Sequence, residues 1–132
     1  MRTELTRELF GHFNLADKFS SNALDAIYNF LDDSGIEYVS QDELYYWSDY
    51  DSFEYFYDEF VDIVGYSVED YAENDALEEY ERDSDGELTQ GAFSEIMESW
   101  EFQSKFVEMY ERHVGLVLMY RIGDDYGYLV MD

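Results

Sequence analysis

A long acidic tract without a single basic side chain constrains the fold of this chain more than any other feature. The 63 residues between Lys18 and Arg82 contain 19 Asp and Glu residues and no Lys, Arg or His. Salt bridges formed within the tract therefore cannot offset its charge. Like charges at i, i+4 spacing destabilise a helix by a few tenths of a kcal/mol per pair. Any fold of this chain must keep these carboxylates out of the core and must tolerate their mutual repulsion.

The aromatic residues indicate that the chain folds despite this charge. A formal net charge of -26 is typical of disorder when hydrophobicity is low, because too little apolar surface is buried to offset chain entropy. However, 14 Tyr, 10 Phe and 2 Trp make up 20% of the 132 residues, and each ring removes roughly 150–250 Å² from water when buried. We therefore expect a single acidic domain over residues 1–132.

The most informative predicted helix runs from Asp51 or Ser52 to Gly65. At about 100° per residue, its side chains separate into two faces. The apolar face, which we expect in the core, consists of Phe53, Phe56, Tyr57, Phe60, Ile63 and Val64. The opposite face is a carboxylate stripe of Asp51, Glu54, Asp58, Glu59 and Asp62.

Other helix signals precede this helix. Asn22 and Asp25 are a candidate start for a helix that Gly35 ends, and Ser40 with Glu43 forms a capping-box pattern. Before Asp51 the sequence therefore predicts a helix over 3–13, a helix over 22–34, a short extended segment over 36–39 and a helix over 40–48.

Two further helices and a hairpin are predicted after it. Ser67 and Asp70 form a capping box, but the acids that follow point all round the helix, so we expect it to be largely exposed. Thr89 caps a longer helix through about Arg112, whose candidate core residues are Phe93, Ile96, Met97, Trp100, Phe106, Val107 and Tyr110. Segments 114–122 and 126–131 flank a turn and predict two strands. The predicted fold class is mostly α (α+β): a compact helical domain with a small C-terminal β-hairpin.

Charge and composition exclude several functions. Binding to nucleic acid or to an anionic membrane requires Lys and Arg, so this chain would be repelled by both. The sequence has no Cys, which excludes disulfides and thiolate metal sites. It shows neither a signal-peptide pattern nor a run of 18 apolar residues. We expect a cytoplasmic protein, in the host cell cytoplasm if a phage encodes it.

Catalysis finds little support in the sequence. The two histidines, His12 and His113, lie far apart without a recognisable motif, and pairs of carboxylates are inevitable among 33 acids. No Gly-rich phosphate loop or His-based metal spacing occurs. We therefore predict a binding protein that is not an enzyme and has no cofactor and no metal.

Two segments faintly resemble EF-hand loops, residues 32–43 and 81–92. Such a loop needs Gly at its sixth position and a bidentate Glu at its twelfth. The first loop has Glu37 at position six, and the second has Ala92 at position twelve. A degenerate EF-hand-like calcium-binding protein is thus an alternative, with ordinary turns between capped helices as the competing interpretation.

The acidic tract is the main functional signal, because its repulsion opposes the fold that carries it. Carboxylates arrayed on helices can approximate the charge density of DNA, and interleaved aromatic residues can add apolar contact. We expect a basic DNA-binding protein or nuclease as the partner. The candidate partner-binding residues are Asp42, Glu43, Asp49, Asp51, Glu54, Asp58, Glu59, Asp62, Glu69, Asp70, Glu73, Glu78 and Glu79.

One part of this tract has a distinctive composition, rich in Asp, Glu and Tyr. Residues 45–60 read YYWSDYDSFEYFYDEF, which resembles the Asp-, Glu- and Tyr-rich helices of phage and plasmid anti-restriction proteins of the Ocr and ArdA type, and of acidic anti-CRISPR proteins. The resemblance spans residues 22–82 and lies in composition and helix patterning. It implies a DNA mimic that occupies the DNA-binding channel of a restriction enzyme or CRISPR effector. The C-terminal hairpin is not part of that pattern.

The acidity also has alternative causes that the sequence does not separate from this one. An immunity protein that neutralises a basic toxin nuclease would use the same charge complementarity. Adaptation to high salt and simple solubility also produce acidic surfaces. The sequence leaves open whether the chain forms a homodimer.

Overall fold

A computed structural model describes residues 3, 4, 6 and 18–131 of the chain. The chain divides into two compact units. Unit 1 comprises residues 1–52 and 116–132, and unit 2 comprises residues 53–115. The predicted fold class is confirmed: the chain is mostly helical with a small C-terminal antiparallel strand pair. That these units make one domain stays a prediction.

Unit 1 begins its helical part with α1 (Ser21–Asp33). Ser20 is the N-cap, and its hydroxyl accepts a hydrogen bond from the Ala23 N–H at 3.2 Å. The predicted start at Asn22 was therefore wrong, because a serine two residues earlier already satisfies a free N–H of the first turn. Gly35 follows the helix end as predicted, with a left-handed φ of 78° that glycine adopts readily.

Short strands in unit 1 correct the prediction for the N-terminal segment. Strand β1 (Thr3–Glu4) pairs antiparallel with β2 (Tyr38–Val39). The helix predicted over 3–13 is wrong at these two residues, whose backbone groups pair with β2 instead. Apart from residue 6, the rest of that predicted helix lies outside the described residues.

The next predicted helix is much shorter than expected. Helix α2 (Gln41–Leu44) begins after Ser40, whose hydroxyl accepts the Glu43 N–H at 3.4 Å as the capping pattern predicts. It ends at Leu44 rather than near Ser48, and residues Trp47–Tyr50 form strand β3. The local helix signal is overridden because Trp47, only 1% exposed, is buried where β3 pairs with the C-terminal hairpin.

The predicted hairpin is confirmed and extended to a three-stranded sheet. Strands β4 (Val117–Ile122) and β5 (Asp125–Met131) flank a turn at Gly123, which has a φ of 63°. The antiparallel order is β3-β5-β4, so β5 is central. Buried residues from the helices, the sheet and the segment before α1 form the core of unit 1: Phe19, Ala23, Ile27, Leu44, Trp47, Tyr120 and Leu129.

Unit 2 is helical and has an aromatic core. Helix α3 (Phe53–Val64) buries the predicted side chains Phe53, Phe56, Tyr57 and Val64. The Phe56 ring lies 5.6 Å from that of Phe106 in a T-shaped contact, a favoured geometry for ring pairs. Ile63 was wrongly predicted in the core and is 65% exposed, because it lies at the edge of the apolar arc, one residue before the helix ends.

The long helix predicted after Thr89 is two helices. They are α4 (Gln90–Glu98), capped by Thr89, and α5 (Trp100–His113), capped by Ser99. Ser99 has an extended backbone with ψ 125°, which resets the helical phase. As a consequence Phe102 is buried, whereas two predicted core residues, Phe93 and Trp100, are 37% and 54% exposed.

We call residues 69–81 the acidic segment. The predicted capping box exists: the Ser67 hydroxyl accepts the Asp70 N–H, and the Asp70 carboxylate accepts the Ser67 N–H. Only one α-helical turn (Val68–Asp70) and a π-helical turn (Tyr71–Asp75) follow, and residues 76–81 are irregular. Tyr71 is buried against the Phe102 ring. The predicted helix ends early because, beyond this contact, acids on every side leave little apolar surface for tertiary packing to hold.

Candidate partner-binding surface

The most regular acidic surface of unit 2 is the outer side of α3. Glu54, Asp58, Glu59 and Asp62 are all exposed on this helix. The opposite side packs on α5, where Phe53 and Phe56 both lie 5.6 Å from the Phe106 ring. Burial of the aromatic side therefore determines which way the carboxylates point. The predicted separation into a core face and a carboxylate face is confirmed for the acids within α3, whereas Asp51, which was predicted in the same stripe, precedes the helix.

The density of charge on α3 approaches that of one DNA strand. Twelve helical residues span about 18 Å at about 1.5 Å per residue. Four exposed carboxylates on this length give one negative charge per about 4.5 Å, whereas a single strand of DNA carries one per about 3.4 Å of axis. The spacing of charge along α3 is thus close to that of one strand and wider than that of a duplex, which carries one negative charge per about 1.7 Å.

Unit 2 carries a large excess of negative charge. It contains 19 Asp and Glu against 3 Lys and Arg. All three basic side chains are in ion pairs away from α3: Arg82 with Glu69 at 2.7 Å, Lys105 with Asp75 at 3.2 Å and Arg112 with Glu108 at 2.9 Å. Among the described residues no ion pair involves a carboxylate of α3.

The other candidate residues of unit 2 are of two kinds. Glu69 and Asp70 have structural roles. The Glu69 carboxylate accepts a hydrogen bond from the Arg82 guanidinium, and Asp70 completes the capping box with Ser67. The remaining three lie exposed on the acidic segment: Glu73, Glu78 and Glu79. The acidic segment therefore offers fewer uncommitted carboxylates than its sequence indicates.

In unit 1, Asp49 is bound internally. Asp42 and Asp51 are exposed and Glu43 is half-buried, but the Asp49 carboxylate accepts a hydrogen bond from the Tyr120 hydroxyl. Burial raises the pKa of Asp49 above its usual range, and the hydrogen bond from Tyr120 opposes part of this rise. A carboxylate in this position contributes less to an outward-facing acidic surface.

A glycine in the central strand makes this contact possible. Tyr120 of β4 pairs with Gly127 of β5, and β3 pairs with β5 at its other edge. A Cβ atom at residue 127 would overlap Cζ of Tyr120. The ring therefore crosses the central strand over Gly127 to reach Asp49 on β3. Burial and the neighbouring Asp49 carboxylate raise the pKa of the Tyr120 hydroxyl, which stays protonated as the donor.

A second acidic surface was not predicted from the sequence. A cleft of about 630 Å³ in unit 2 is lined by Tyr71, Leu77, Glu78, Tyr80, Glu95, Glu98, Ser99 and Glu101. Three of these acids, at positions 95, 98 and 101, lie beyond the tract without basic residues. Glu95 and Glu98 stand three residues apart on α4, and this spacing was a visible signal because such residues are neighbours on a helix surface. Glu101 lies on α5. Burial and the adjacent Glu101 raise the pKa of the Tyr71 hydroxyl.

The first EF-hand-like segment, residues 32–43, runs from the end of α1 through β2 into α2, and the second, residues 81–92, contains a turn that leads into α4. In the second loop, Asp83 Oδ1 accepts the N–H groups of Asp85 and Glu87 at 2.9 and 3.0 Å. The described residues contain no group of three or more His, Cys, Asp or Glu placed to hold a metal ion. In the same part of the chain, none of the helices has the length and apolar character needed to cross a membrane.

Comparison with known proteins provides no relative. No protein-family model, curated protein or solved structure matches this chain.

Proposed function

We propose that this protein is a DNA-mimic inhibitor that binds the basic DNA-binding surface of a host defence nuclease, either a restriction-modification enzyme or a CRISPR effector. The observation that carries the proposal is the exposed carboxylate face of α3, held outward by burial of the opposite aromatic face. The protein acts by occupying the surface that DNA needs, without catalysis.

Charge complementarity supplies the driving force. A DNA-binding groove places Lys and Arg at intervals that suit phosphates, and binding to it releases counterions. The carboxylates of α3 occupy comparable intervals, and the excess of acids in unit 2 steers a basic partner over a longer range. Binding should therefore be fast at low salt and weaken as salt screens the charges.

The excess of acids itself supports a role in binding. Glu54, Asp58 and Asp62 stand at i, i+4 spacing on α3, where each like-charged pair costs a few tenths of a kcal/mol. Replacing one of them by a neutral residue would relieve that cost without touching the core. A surface that opposes folding is most simply explained by a use outside the fold.

The direct test is competition with DNA. Purified restriction enzymes and CRISPR effector nucleases are incubated with the protein before addition of labelled duplex DNA, and cleavage is measured across a salt series. We expect inhibition of at least one enzyme, relief by excess DNA and loss of inhibition as salt rises. If no enzyme of either class is inhibited at low salt, the proposal fails. Inhibition of a toxin nuclease alone would instead support the immunity-protein alternative.

A pair of matched variants locates the surface. Reversing Glu54, Asp58 and Asp62 to Lys changes the net charge by six and should abolish most of the inhibition. The control reverses Asp32, Asp33 and Glu37, which are also exposed and lie in unit 1, and it changes the net charge by the same amount. Circular dichroism establishes that both variants fold. Equal loss of inhibition in the two variants would mean that total charge, rather than the α3 face, determines binding.

A further inference from the structure

The outer side of α3 has a second row of side chains beside its acids. Glu54, Asp58 and Asp62 form one row at i, i+4 and i+8. The second row consists of Tyr55, Glu59 and Ile63. It lies about 100° further around the helix axis than the first row. Tyr55 is 63% exposed and Ile63 is 65% exposed. The surface that faces away from the core is thus half carboxylate and half mixed apolar.

A surface that only imitates a phosphate backbone does not need the apolar side chains of this second row. A large aliphatic and an aromatic side chain lie about 12 Å apart along the helix, with Glu59 between them. Aromatic side chains are enriched where proteins bind one another, whereas charged side chains dominate the rim of such contacts. An apolar row bordered by an acidic row fits a protein surface better than a purely electrostatic one.

We infer that the segment of the partner that docks on α3 is a basic amphipathic α-helix. Its Lys and Arg face the Glu54 row, and its apolar side chains pack against Tyr55 and Ile63. Residues at i, i+4 intervals on two helices repeat at the same distance, so rows of one helix fit the grooves of the other. A second copy of this chain would bring acidic row against acidic row. The inference rests on the proposed function, in that α3 is the binding surface.

Two synthetic peptides test the inference on the full chain. The first is a 15-residue helix-forming peptide with Lys on one face and Leu on the other, and the second is its scrambled isomer of identical composition. Binding is measured by fluorescence anisotropy at low and moderate salt, below the concentration at which either peptide self-associates. We expect the amphipathic peptide to bind at least about tenfold more tightly, because two apolar anchors contribute only when they face α3 together.

Serine substitutions assign the difference to the apolar row. The variant Tyr55→Ser, Ile63→Ser should bind both peptides alike, at the affinity that the parent has for the scrambled one. The control is Tyr46→Ser, Leu77→Ser, whose side chains are 60% and 95% exposed and lie outside α3; it should keep the tenfold preference.

The outcomes separate this inference from the proposed function. Equal binding of the two peptides by the parent protein overturns the amphipathic helix. An unchanged preference in the variant at positions 55 and 63 overturns it too. In both cases the acidic surface still stands if reversing Glu54, Asp58 and Asp62 to Lys abolishes binding of both peptides. If that reversal leaves both affinities unchanged, α3 is not the binding surface, and the proposed function loses its site.

Discussion

Helix α3 and the acidic segment of unit 2 are both crowded with carboxylates, but only α3 is a continuous helix. Helix α3 has 4 acids in 12 residues, all on one side, and the acidic segment has 7 in 13 on every side. The aromatic side of α3 packs on α5. The acidic segment has few such contacts and becomes irregular after Asp75.

The two regions acquire structure from a like-charged sequence in different ways. In α3, charge is confined to one side, so burial of the other side outweighs repulsion. In the acidic segment, single carboxylates are tied to donors: Glu69 to Arg82, Asp70 to Ser67 and Asp75 to both Tyr66 and Lys105. The first arrangement leaves all four of its acids exposed, and the second binds three of its seven acids within unit 2.

The largest effect is expected from breaking the apolar side of α3. Phe56 is fully buried against Phe106 and Tyr110. Phe56→Ala should destabilise the protein by about 3–5 kcal/mol, because it removes a buried ring and leaves a cavity. Urea denaturation followed by circular dichroism measures the change. The control, Leu77→Ala in the acidic segment, should change stability by less than about 0.5 kcal/mol; similar losses in both variants would mean that burial does not distinguish the two regions.

A smaller effect is expected from removing the cap of the acidic segment. Ser67→Ala deletes the acceptor for the Asp70 N–H and should cost about 1 kcal/mol. The same denaturation experiment measures it, with Ser84→Ala in the nearby turn as control. A Ser67 variant as stable as the control would show that the Ser67 hydroxyl contributes nothing to the stability of the segment.

Charge reversal within α3 should stabilise the protein slightly. Asp58 lies four residues from both Glu54 and Asp62, so Asp58→Lys converts two repulsive pairs into two attractive pairs, each worth about 0.2–0.5 kcal/mol. The gain should shrink in high salt. Glu73→Lys in the irregular acidic segment is the counterpart and should gain less. A loss of stability in Asp58→Lys at low salt would contradict the view that repulsion opposes α3.

The smallest effect concerns a single proton in the acidic segment. The hydrogen bond from Tyr66, at 2.7 Å, together with Lys105, lowers the pKa of Asp75 below its ordinary value of 3.8. Stability linked to a lowered carboxyl pKa is complete above pH 3.8 and is lost as pH falls through the folded pKa. Tyr66→Phe should move the Asp75 titration, followed by carboxyl NMR, upward toward 3.8. An unshifted titration would show that the Tyr66 hydroxyl does not hold this carboxylate.

Local signals predicted much of the fold, and they failed where distant parts of the chain compete. The Thr89 cap, the Ser67 capping box and the stop at Gly35 are each decided within a few residues, and all three are present. Trp47 was assigned to a helix because the preceding residues cap one, but pairing with β5 buries it in a sheet. Strand pairing across most of the chain leaves no trace in a local pattern.

The candidate partner-binding residues were likewise predictable only where spacing within one helix decides their position. The α3 face follows from helical spacing alone, whereas the internal role of Asp49 depends on Tyr120, 71 residues away. The cleft lined in part by Glu98 and Glu101 was missed because these acids follow Arg82, and only folding places them beside Leu77 and Tyr80.

By itself, the sequence determined that the chain is acidic, aromatic and mostly helical, and that α3 divides into a core side and a charged side. These properties depend on residue type and on spacing within a few turns. Only the tertiary structure decided which carboxylates stay available, because hydrogen bonds and ion pairs join residues far apart in the chain. It also decided that Ile63 and Tyr55 remain exposed beside the acids, because the width of the buried arc on a helix is set by the helix that packs against it.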